Sequence, residues 1–146
     1  MRNIRTIAGA ATAAALATTT LIGLSPAAHA ASGTCSYDRP LKYGWTVTEC
    51  LETSGYRGTT NQTVEDTGAT TDVRIYDELW NDCTGAWSVV ASNYRDGGIH
   101  AIPRQGPFRA SLSWSCGTHN ARFQAHVYET ESGKVVDGFW TNIIST

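Results

Sequence analysis

The chain has 146 residues, with 11 Lys+Arg against 13 Asp+Glu and a formal charge of −2. Its only lysines are Lys42 and Lys134, and no run of basic residues occurs. This excludes a surface built to neutralise a phosphate backbone, so no nucleic-acid partner is expected.

The first element is a leader. Arg2 and Arg5 open the chain, an uncharged stretch runs over Ile7–Leu24, Pro26 interrupts it, and Ala28-His29-Ala30 follows. That order of positive, apolar and small-residue segments is the layout of a cleaved secretory signal, with the cut after Ala30. The Thr18-Thr19-Thr20 run and the abundance of alanine make the stretch too weakly apolar for a membrane span, so none is expected after cleavage. The leader's Ala/Thr-rich composition resembles the leaders of secreted actinomycete proteins, a likeness of source and not of family. Residues 1–30 are thus expected to be removed, leaving residues 31–146 as a single extracellular domain. That remainder holds nine Lys/Arg and 13 Asp/Glu, a formal −4.

Alternation of apolar and polar residues marks the strands that follow, and helical periodicity is absent. Strands are predicted at Tyr43–Cys50, Asp72–Trp80 and Ala86–Tyr94, with a short one at Ile99–Ile102. The Thr/Gly-rich stretch between them is read as an edge strand around Thr59–Val64, because a long structureless loop is uncommon in a small domain. The clearest alternation is Phe108, Ala110, Leu112, Trp114 and Cys116 against Arg109, Ser111, Ser113 and Ser115. Ala121, Phe123, Ala125 and Val127 repeat it, and Gly117–Asn120 reads as a hairpin loop joining the two runs. Glu131–Lys134 turns the chain into a last strand near Val135–Ile144. Seven or eight short antiparallel strands at this spacing predict an all-β sandwich, or a small barrel.

Four cysteines, Cys35, Cys50, Cys83 and Cys116, lie in the exported part. An even count in an oxidising compartment reads as two disulfides. Cys35 lies in the N-terminal arm and Cys50 ends a strand, while Cys83 and Cys116 each border a turn. The expected pairs are therefore Cys35–Cys50 and Cys83–Cys116, each contributing about 3–4 kcal/mol on the loop-entropy argument. Their wide spacing lacks the close-set pairs of a zinc site, and neither metal nor other cofactor is expected.

Function is less legible. No G-x-S-x-G or H-E-x-x-H motif occurs. A small hydrolase would draw on His126 with Arg122, but Glu129, the nearby carboxylate, has the opposite strand parity; this reading ranks third. The chain is expected to act by binding, not catalysis, and as a monomer. Residues 31–146 carry the chain's five Trp and three Phe and its six Tyr. Trp87, Phe108, Trp114 and Phe123 have inward parity, whereas Tyr76, Trp80, Tyr94 and Tyr128 alternate outward; Trp140 is ambiguous. The outward set is the leading candidate for a ligand surface, with an extracellular polysaccharide or protein as partner. The alternative is an inhibitor of a trypsin-like protease that displays Arg104 on a loop stiffened by Pro103 and Pro107. Eight acids fall between Glu49 and Asp82. They are read as a solvated face.

Overall fold

The computed structural model describes residues 31–97, 106–117 and 121–146. Nine strands occur in them: β1 (Ser32–Pro40), β2 (Trp45–Ser54), β3 (Arg57–Asp66), β4 (Arg74–Asn81), β5 (Ser88–Asp96), β6 (Phe108–Ser115), β7 (Arg122–Glu131), β8 (Lys134–Trp140) and β9 (Ile144–Ser145). No helix occurs among the described residues, and none is long and apolar enough to cross a membrane. The strands form two antiparallel sheets. One has the order β1-β2-β3-β6; the other has the order β5-β4-β7-β8, with β9 continuing the pairing along β7. Both expected disulfides are present, Cys35–Cys50 and Cys83–Cys116.

Strict alternation explains each layer. On β2 every second residue from Trp45 to Thr53 is buried, as are Gly58, Thr60, Gln62, Val64 and Asp66 on β3. The opposite sheet answers with Ile75, Asp77, Leu79 and Asn81 on β4 and with Phe123, Ala125, Val127 and Glu129 on β7. Tight reversals join neighbours where the sequence supplies the right backbone. Ser132 and Gly133, at φ 52° and 77°, make the two-residue turn between β7 and β8, a turn whose twist matches the right-handed twist of the strands.

The apolar interior is divided. One cluster gathers Trp45, Val47, Val64, Ile75, Val127 and Phe139 with Leu41 and Val73; the other gathers Leu51, Leu79, Phe123, Ile144, Ala121 and Cys116. Between them on the inner faces lie Glu49, Thr60, Gln62 and Asp77, all at most 2% exposed. Thr60 donates its hydroxyl hydrogen across the sandwich to Asp77 Oδ2 at 3.0 Å. Burial pushes the Glu49 carboxyl up to about 9, with the nearby Asp77 adding to the effect, and burial also raises Asp77 to about 6.

Several expectations change. The Thr-rich segment is not an edge: β3 pairs with β2 on one side and β6 on the other, because its β-branched threonines suit a paired, pleated environment. The arm bearing Cys35 is itself strand β1, and Cys35 sits directly opposite Cys50 in the ladder. The runs on either side of the expected Gly117–Asn120 loop are not hairpin partners, since β6 pairs in the first sheet and β7 in the second. The acids of the first half are not one solvated face: Glu49, Asp66, Asp77 and Asp82 are buried. Phe108 and Trp114 do share the inner face with Val64 and Gly58, but β6 is an edge strand, so they remain 37% and 44% exposed. The predicted strand Ile99–Ile102 lies outside the described residues.

Candidate functional site

Outward parity on β4 places Arg74, Tyr76, Glu78 and Trp80 in a row. The ladder sets Tyr94 of β5 and Tyr128 of β7 on either side of Tyr76, and sets Ser92 and His126 on either side of Glu78. One strand further out, Trp140 of β8 lies opposite His126. Directly opposed side chains on one sheet face stand close enough for rings to touch.

The result is a continuous aromatic strip. Tyr94 tilts against Tyr76 with centroids 5.5 Å apart; Tyr76 stacks on Tyr128 at 4.7 Å with planes 4° apart. Tyr128 meets the His126 ring at 4.9 Å, and His126 stacks on Trp140 at 3.9 Å and 3°. Trp80 closes the strip with an edge contact to Trp140 at 5.4 Å. The face-to-face pairs spend ring faces on each other, each such pair contributing on the order of 1 kcal/mol beyond buried area. Tyr94 and Trp140, on the flanking strands, are the most open members at 48% and 45% exposure. Tyr76, Trp80 and Tyr128 are half-buried.

Glu78 fixes the middle. Its Oε1 accepts a hydrogen bond from the Tyr128 hydroxyl at 2.9 Å, and its Oε2 accepts one from Trp80 Nε1 at 2.9 Å. His126 Nδ1 lies 3.4 Å from the same Oε2. Burial, reinforced by the bond to Glu78, pushes the Tyr128 hydroxyl up to about 12, so it stays a donor at neutral pH. Burial lowers the His126 imidazole below its usual range, and the attraction of Glu78 only partly offsets this. Burial thus favours the neutral form of His126.

The ends of the strip are tied down. Arg74 donates from Nε to Asp96 Oδ1 at 2.7 Å while its guanidinium lies 4.7 Å from the Tyr94 ring centre. Beside it opens a cleft of about 520 Å3 whose lining includes Val73, Tyr76, Gly97, Thr130 and Gly133. At the far end Arg122 pairs with Asp82 and lies over the half-buried Trp87.

All four sequence-predicted aromatics thus meet in one strip. The hydrolase pairing of His126 with Arg122 does not form, because Arg122 turns to Asp82 and the carboxylate beside His126 is Glu78. Glu129 points into the interior, as its parity requires. Sequence reasoning missed Glu78 and left Trp140 unassigned. Glu78 shares the parity of Tyr76 and Trp80, a signal that was present; Trp140's place depends on the register of β8 against β7, which no local pattern reveals. Of the inhibitor loop, Pro103 and Arg104 lie outside the described residues. Pro107 is exposed just before β6. Among the described residues no group of three or more His, Cys, Asp or Glu could hold a metal ion.

Fold and site together define a class: a disulfide-bridged antiparallel β-sandwich with an aromatic outer face. No family model, curated protein or solved structure matches the chain.

Proposed function

We propose that this chain is an exported, non-enzymatic binding module, and that the outer face of the β5-β4-β7-β8 sheet takes an extracellular polysaccharide. The observation that carries the reading is the unbroken strip from Tyr94 to Trp80. An open strip of rings suits a polymer laid along it better than a small molecule, which needs a concave pocket. Sugar rings present C–H faces that pack on aromatics and hydroxyls that need polar partners. Glu78, the phenolic groups of Tyr76 and Tyr94, and the Trp140 indole supply both kinds of contact. Two disulfides and the leader-like residues 1–30 support export.

The test is retention of the purified domain on chitin, cellulose and isolated cell-wall material, with Trp140→Ala and Tyr94→Ala as variants. Retention by the wild type and release by both variants is the expected result. Passage of the wild type through all three materials refutes the reading.

A further inference from the structure

Building on the polysaccharide reading, we propose that the strip selects a polymer whose sugars carry a free primary amine, with the Glu78 carboxylate receiving the ammonium group. The argument begins with charge. Arg74 is committed to Asp96 at one end of the face and Arg122 to Asp82 at the other. Among the described residues no lysine or arginine lies within ion-pairing distance of Glu78. Its neighbours Tyr128 and Trp80 carry no charge, and burial favours the neutral form of His126 beside it. The side chain is only 16% exposed, so water screens it poorly. A negative charge with no counter-cation, set in an aromatic surface, favours an incoming cation, and ring electrons add to that preference.

Geometry supports the same ligand. A carboxylate offers roughly four acceptor positions, and three are engaged here, which leaves capacity for one N–H of an ammonium. Tyr128 holds one carboxylate oxygen and Trp80 the other, so little ordering is left for the binding event. Ser92, the neighbour of Glu78 on β5, is exposed and short, and it leaves that side open to approach. A formal −4 over residues 31–146 draws a polycation towards the domain without choosing the face. Chitin, its deacetylated form and cellulose differ at a single ring substituent: acetamide, ammonium and hydroxyl. All three can donate a hydrogen bond to Glu78, but only the ammonium also brings the opposite charge.

The test compares the hexamers of glucosamine and N-acetylglucosamine with cellohexaose by titration calorimetry, at a pH where the amine is protonated. The glucosamine hexamer should bind about tenfold more tightly than the other two. Glu78→Gln should lower that affinity about tenfold. Glu52→Gln, which removes the same charge from an exposed position on β2 in the other sheet, should leave it unchanged. Equal wild-type affinity for the three hexamers, or equal losses in both variants, overturns the inference and leaves polysaccharide binding standing. Absence of binding to any hexamer, together with no retention on the insoluble polymers, removes both. The wild-type comparison decides the matter even if Glu78→Gln fails to fold.

Discussion

Replacing Glu49 by glutamine should stabilise the domain, and by an amount that grows with pH. Glu49 is fully buried beside Gln62 and near Asp77, and its carboxyl titrates at about 9 in the fold against an ordinary 4.5. The folded chain therefore holds a proton that the unfolded chain releases. Between those two values the native state binds more protons than the unfolded state, so stability falls as pH rises. At pH 4 both states are protonated and the cost is near zero. By about pH 7.5, three pH units above the unfolded value, it is about 4 kcal/mol. Glutamine has the same shape and no such proton to hold. Its amide can also donate to Asp77 Oδ1 and its oxygen can accept from Gln62 Nε2, both of which lack partners. Guanidinium unfolding with the disulfides intact, measured from pH 4 to 8.5, should show matching stabilities in acid and a variant ahead by several kcal/mol near pH 8. In melting temperature that is on the order of 10 °C for a domain of this size. His126, whose lowered value acts in the opposite sense by favouring the fold above its titration, is common to both proteins and cancels in the difference. A variant no more stable than wild type at pH 8, or a gap that does not widen with pH, would refute the account of Glu49.

Other perturbations probe separate parts of the sandwich. Gly58→Ala should destabilise by about 1–3 kcal/mol in thermal or denaturant unfolding, because a Cβ there would lie 2.4 Å from Cδ1 of the fully buried Phe123 on the opposite sheet. Tyr128→Phe removes the hydroxyl that steadies Glu78; a loss of about 1 kcal/mol is expected in the same assay. The double change Cys35→Ser/Cys50→Ser opens a bridge spanning 15 residues and should cost about 3 kcal/mol by denaturant unfolding, while the far-ultraviolet spectrum of the folded state stays that of a β protein.

Strand alternation made the layered architecture legible, because one buried face imposes a period of two on every strand. The cysteine pairing was legible for a related reason: alternation located the strand ends and turns at which the sulfurs sit. What alternation does not encode is partnership. The runs after Phe108 and after Ala121 look alike, yet one joins β3 and the other joins β4 and β8, fixed by packing between residues about fifty apart in the chain in the case of β3 and β6. Parity also places Glu49 with Val47 and Leu51, and Glu129 with Val127, inside the sandwich. The ordinary expectation that acids face water hid that signal. At the candidate site the sequence named Tyr76, Trp80, Tyr94 and Tyr128, since each shares a face with its neighbours two residues away. It could not show that Tyr76 stacks on Tyr128, that His126 stacks on Trp140, or that Glu78 joins them, because those contacts arise from register between strands.

The strip is assembled from two hairpins. Tyr94 meets Tyr76 within β4–β5, and His126 meets Trp140 within β7–β8, both pairings that short loops can bring together within microseconds. The Tyr76–Tyr128 stack and the Tyr128 bond to Glu78 form only when β4 docks on β7, a contact between segments some fifty residues apart in the chain. Pairing at that distance is the slow part of folding a β protein. The carboxylate thus receives its tyrosine donor only at that late step, and a chain stalled with both hairpins formed would carry every ring of the strip without the site they compose.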